Sequence, residues 1–128
     1  EGRRVGVGLG GFFGDARLAE AIRQIHAYPE RPWTMAQLAK EAALSRSAFF
    51  DRFLRSVGVP PMEYLLAWRM VLAKDLLRRE AITIAEVAER VGYGSASTFS
   101  TAFSRHVGLP PGRYARGFAE NGSAGAHA

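Results

Sequence analysis

Three histidines, no cysteine and fifteen arginines frame the chemistry open to this chain. His26, His106 and His127 lack metal-ligand spacing and have no carboxylate cluster beside them, so neither a metal site nor histidine-based catalysis is expected. Without Cys there is no thiolate zinc, thiol nucleophile or disulfide scaffold. Gly6-Val-Gly-Leu-Gly-Gly11 fits the G-x-G-x-x-G spacing that lets a backbone approach a pyrophosphate. That motif works only between a strand and a helix, with an acidic residue about 20 positions on at a strand end. Here the chain ahead has room for a stub of strand, and everything downstream reads as helix. No nucleotide, other cofactor or enzyme activity is expected.

What remains is hydrogen bonding and charge. Lys and Arg total 17 against 12 Asp and Glu, for a net charge of +5 and a pI near 10.2, with Lys40 and Lys74 the only lysines. Arginine offers a planar fork of donors suited to phosphate and to the guanine edge. A balance of this kind admits nucleic acid or an anionic surface as partner. No apolar run approaches the roughly 20 residues of a membrane span. Hydrophobic residues make up 48% and charged residues 23%, which excludes wholesale disorder, and 128 residues suffice for one domain or two small subdomains. The chain opens at Glu1 without a signal-peptide pattern, and a cytoplasmic, nucleoid-associated fragment of a longer protein is expected.

These side chains must be positioned by helices, because the apolar spacing is helical throughout. Residues 1–14 are Gly-rich and read as a flexible linker, and 119–128 as a disordered tail. Asp15 caps a first helix to about Tyr28, with Leu18, Ile22 and Ile25 on one face. Thr34 and Gln37 form a capping box, with Trp33 and Leu38 as its hydrophobic staple. Ser45 opens a helix with Phe49, Phe53 and Val57 on its core face, and Gly58 stops it. Pro60-Pro61 opens a long helix to Arg79, 20 residues or about 30 Å at 1.5 Å per residue.

The pattern then repeats. Thr83 and Glu86 make a second capping box, stapled by Ile82 and Val87. Ser95 opens a helix with Phe99, Phe103 and Val107, ended by Gly108, and Pro110-Pro111 opens a short helix carrying Tyr114. Overlaid at an offset of 50, residues 45–64 and 95–114 share ten identities in twenty. The preceding helices overlay at an offset of 49, so the second turn is one residue longer. A helix-turn-helix unit is duplicated along the chain. The expected fold is all-α: about seven helices in two helix-turn-helix subdomains, 15–79 (with the linker helix 60–79) and 80–118.

A helix-turn-helix of this size reads DNA with its second helix in the major groove. On the first such helix the exposed positions are Arg46, Ser47, Phe50, Asp51 and Arg55, with Leu54 alongside. On the second they are Ala96, Ser97, Ser100, Thr101 and Arg105, with Ser104 alongside. Short polar side chains allow close approach to base edges, and Arg suits guanine or phosphate. Thr34, Thr83, Arg113 and Arg116 are candidate phosphate contacts. Trp33, Tyr64 and Trp68 read as core or staple residues, His26 as a capped or surface histidine, and Arg69 as a structural ion-pair partner. The same Ser and Arg residues could merely solvate an outer face; two copies on a basic chain argue against that.

The motifs Leu44-Ser-Arg-Ser-Ala-Phe-Phe-Asp-Arg-Phe53, Gly58-Val-Pro-Pro-Met-Glu-Tyr64, Trp68-Arg-Met70, Ile84-Ala-Glu-Val-Ala88, Val91-Gly-Tyr-Gly-Ser-Ala-Ser-Thr-Phe99 and Gly108-Leu-Pro-Pro-Gly-Arg-Tyr114 resemble the C-terminal DNA-binding domain of the AraC/XylS family of bacterial transcriptional regulators. The likeness covers residues 15–118. It implies homeodomain-like paired units, promoter DNA as partner, control (including activation) of transcription, and contact with RNA polymerase. It also implies a missing N-terminal domain for a small-molecule effector or for dimerisation, cupin-like by similarity to one branch, and a monomeric fragment. The family commonly has Arg where Asp51 and Thr101 stand, and often Gly where Ala43 stands. Asp51 and Thr101 motivate the competing expectation, a helical protein-interaction module that has lost DNA binding.

Overall fold

The computed structural model describes residues 15–79 and 81–117. The glycine-rich stretch 1–14 with its G-x-G-x-x-G spacing, and the tail 119–128 with His127, lie outside the described residues. Among the described residues there are seven helices and no strand. They are α1 (Ala16–Ala27), α2 (Met35–Glu41), α3 (Arg46–Val57), α4 (Pro61–Arg79), α5 (Ile84–Arg90), α6 (Ala96–Val107) and α7 over 111–117. Each start has a local cause. Asp15 Oδ1 accepts from the amides of Arg17 and Leu18 at 3.2 and 3.3 Å. Both capping boxes form: the Thr34 hydroxyl accepts from the Gln37 amide (3.2 Å) and the Thr83 hydroxyl from the Glu86 amide (3.0 Å), with each N3 side chain bonded back to the cap amide. Ser45 and Ser95 cap α3 and α6 by accepting from the Ala48 and Thr98 amides.

The chain forms two compact units that divide at Leu66/Ala67, inside α4. In the first, α1, α2 and α3 pack on one another around Leu18, Ile22, Ile25, Leu38, Phe49, Phe53 and Leu65. In the second, α5 packs on α6, and Met70, Ala73, Val87, Val91, Phe99 and Phe103 are buried. Helix α4 serves both because its apolar spacing breaks. Pro61 and Leu65 are buried in the first unit, whereas Met70, Ala73 and Leu77 keep an i, i+3, i+7 stripe in the second.

The aromatic identities of the repeat are one packing device used twice. Phe49 meets Phe53 (ring centroids 5.5 Å apart) and Phe53 meets Tyr64 edge-on at 5.7 Å. Phe99 meets Phe103 at 5.6 Å and Phe103 meets Tyr114 edge-on at 5.5 Å. Such tilted pairs place a positive ring edge on a negative face. Val57 and Val107, expected on the same core faces, are only partly covered. Each helix ends one residue later, at a left-handed Gly58 or Gly108. His26 is exposed but tethered: its Nε2 lies 2.6 Å from the Tyr64 hydroxyl, and the rings stack. Partial burial favours the neutral imidazole and holds its pKa below the ordinary value.

Both helix-turn-helix corners are Schellman turns. After α2, the Leu44 amide donates to Ala39 O (3.0 Å) and the Ala43 amide to Lys40 O (2.9 Å). After α5, Tyr93 donates to Ala88 O (2.8 Å) and Gly92 to Glu89 O (3.2 Å). The motif needs a left-handed residue between helix and exit. In the second unit this is Gly92 (φ 98°), and in the first it is Ala43 (φ 58°). A Cβ there crowds the following carbonyl at a cost of about 1 kcal/mol. Ala43→Gly is therefore expected to stabilise the first unit by up to about 1 kcal/mol, partly offset by glycine's freer unfolded chain. A thermal or urea midpoint that stays put or falls would refute this account of the corner.

Candidate nucleic-acid interface

The second helix of each corner presents the side chains expected to read a ligand. On α3 the rings of Phe49 and Phe53 are fully buried. Arg46, Ser47, Phe50, Asp51, Leu54 and Arg55 are all exposed. On α6, Phe99 and Phe103 are fully buried, Ser97, Thr101 and Arg105 are exposed, and Ala96, Ser100 and Ser104 are partly so. Ser100, Thr101, Ser104 and Arg105 line one shallow depression along α6. Each set shares a helix face for the same reason: two Phe four residues apart take the inward side and leave the opposite side outward.

Local hydrogen bonds tune what these groups can offer. Thr101 Oγ1 donates to Ser97 O (3.1 Å), so its proton is spent on the helix although the residue is exposed. Ser95 Oγ donates to Thr98 Oγ1 (3.0 Å), which orients an exposed first-turn hydroxyl. Thr98 was not singled out by sequence reasoning; its place at N3 behind the Ser95 cap was the available signal. Asp51 makes no ion pair among the described residues, whereas Arg52 lies 3.8 Å from Asp15 and ties α3 to the start of α1. Arg52 was likewise missed, because nothing local in sequence links it to Asp15.

The two capping threonines, both expected as phosphate contacts, differ in their surroundings. The Thr83 hydroxyl also donates to Glu86 Oε1 (3.3 Å), whose carboxylate sits where an anion would approach. In the first unit the corresponding group is the neutral amide of Gln37. Arg113 and Arg116 are exposed on α7, flanking a shallow depression with Leu109 and Gly117. Arg69, expected in an ion pair, sets its guanidinium carbon 5.6 Å from the Tyr93 ring centroid. Burial pushes the Tyr93 hydroxyl pKa up, with Arg69 working against that rise. Trp33 is buried, and its indole N–H donates to Tyr28 O (2.9 Å).

Among the described residues no group of three or more His, Asp or Glu could hold a metal ion, and no helix is long and apolar enough to cross a membrane. A family profile described as a helix-turn-helix domain matches residues 38–117. A Streptomyces lividans protein named as an AraC-like transcription regulator is 48% identical over 100 residues, 78% of this chain and 33% of that protein. The HTH-type transcriptional regulator AlkR of Acinetobacter baylyi is 41% identical over 97 residues, 76% of this chain and 32% of AlkR. The chain thus spans about a third of the length of these relatives. Among solved structures, the DNA-binding domain of the global transcriptional factor AdpA, in complex with a target DNA, superposes with a TM-score of 0.79 at 28% identity, over 82% of this chain and 95% of that one. With two capped helix-turn-helix corners, the residues matched and the fold shared, the chain belongs to the AraC/XylS family of helix-turn-helix transcriptional regulators, in its DNA-binding domain.

Proposed function

We propose that this chain binds duplex DNA sequence-specifically, laying α3 and α6 into successive major grooves of one promoter site as a monomer, and thereby regulates bacterial transcription. The observation that carries this reading is the duplication of one device: a Schellman corner, a serine-capped second helix, and an outward face ending in Arg55 or Arg105. Likeness to the DNA-bound AdpA domain supports it. Helix α4, with 19 residues, measures about 28 Å at 1.5 Å per residue, near the 34 Å of one DNA turn.

Within this reading Arg46, Ser47, Phe50, Asp51 and Arg55 read one half-site. Ala96, Ser97, Ser100, Thr101 and Arg105 read the other, and Thr34, Thr83, Arg113 and Arg116 hold phosphates. Fitting both units to one duplex bends it. RNA polymerase is the protein partner at the promoter, effector sensing belongs to a domain outside these two units, and the site of action is the cytoplasm and nucleoid.

The test is duplex binding measured across salt concentrations, together with a footprint. With about six phosphate contacts, the log–log slope of affinity against salt is expected near −5. The footprint should cover two grooves on one face, centred roughly 10 base pairs apart. A footprint of half a turn, or one needing two protein copies, would overturn the bivalent monomer. A flat salt response would favour the protein-interaction module instead.

A further inference from the structure

The two reading faces differ in kind at two equivalent positions. At the 50-residue offset of the repeat, Phe50 and Leu54 on α3 correspond to Ser100 and Ser104 on α6. Phe50 is 37% exposed and Leu54 39%, on a helix whose other two phenylalanines are fully covered. Four residues apart, they lie one above the other and form an apolar stripe along one side of the face. Ser47, Asp51 and Arg55 hold the polar side. The serines at the same places on α6 line a depression with Thr101 and Arg105, so hydroxyls stand where α3 has hydrocarbon. One apolar group is available on base edges in the major groove, the C5 methyl of thymine.

We infer that the first unit reads thymine methyls with Phe50 and Leu54, so that its half-site carries thymines within two or three base-pair steps, while the second unit reads its half-site by hydrogen bonds. This rests on the DNA-reading function proposed above. Charge complementarity names the occupant: the stripe lies between Arg46 and Arg55, exposed cations that suit the phosphates on either side of a groove. The spacing agrees with it. Four residues of helix rise about 6 Å, near two base-pair steps of 3.4 Å each.

The experiment uses a duplex selected from a random pool by the wild-type chain, with single thymines replaced by deoxyuridine, which removes the methyl and leaves every hydrogen-bonding group. Each replacement under α3 is expected to weaken wild-type binding about fourfold, the factor that burial of one methyl-sized group implies. The Phe50→Ser/Leu54→Ser variant, checked to be folded by its unfolding transition, should keep its salt slope and lose the uracil penalty. If uracil costs the wild type nothing on a duplex that still shows sequence preference and a steep salt slope, the methyl-reading inference fails and DNA binding stands. Absence of any duplex preference overturns both. A wild-type chain that sediments as a dimer without DNA, with the double variant monomeric, assigns the stripe to a second copy and overturns the inference.

Discussion

Phe103→Ala is expected to remove about 3–5 kcal/mol from the second unit, the cost of truncating a fully buried phenylalanine. Phe103 is the middle ring of the chain from Phe99 to Tyr114, so truncation leaves a cavity with an aromatic on either side. Whole domains are stable by only about 5–15 kcal/mol, and each unit here has roughly half a domain's core. The second unit should therefore lose most of its protection. Because the first unit has its own ring chain of Phe49, Phe53 and Tyr64, its amides should stay protected. Hydrogen exchange followed residue by residue separates the outcomes. Uniform loss of protection across both units would show that they fold as one cooperative body. In the DNA reading, Phe103→Ala reduces the footprint to one groove and cuts the salt slope, since the contacts of α6 and α7 go with it.

Asp51→Ala is expected to relax preference at one base pair of the operator by about 1–3 kcal/mol, or 5- to 150-fold, and to leave the other positions unchanged. The carboxylate is exposed, one turn beyond Ser47 and on the side of α3 facing away from Phe49. An ion pair would have marked it as a structural charge; it has none among the described residues. In the major groove the suited partners for a carboxylate are the amino groups of cytosine N4 and adenine N6. If Asp51 acted only as a repulsive charge, its removal would instead tighten binding to every duplex alike, by a gain that shrinks with salt. Affinities of the variant for the selected site and each single-base change decide between them, and uniform tightening would end the reading role. Thr101, the equivalent residue in the second unit, has its hydroxyl proton turned back to Ser97 O and should behave as an acceptor or methyl contact.

Much of this protein was legible in the residues because its determinants are local. Helix starts come from Asp15, Thr34, Ser45, Thr83 and Ser95, whose side-chain oxygens reach amides two or three residues on, and a reach of three residues is visible in sequence. The second helix of each unit and its outward face follow from two Phe four apart, and the pairing of units from the 50-residue repeat. The family resemblance, which often has Gly where Ala43 stands, implied a left-handed residue at the corner, and the φ of 58° is left-handed. Tertiary structure decided what depends on residues distant in the chain. It placed Tyr64 and Tyr114 at the ends of the ring chains, His26 against Tyr64, and Arg52 near Asp15. It set Arg69 beside the Tyr93 ring and left Val57 and Val107 only partly covered. The division within α4 follows from where its apolar stripe breaks, but only the packing of each half shows which unit each stretch serves. Local hydrogen bonds are set by neighbours in sequence; burial is set by whichever surfaces meet, and that information is spread along the whole chain.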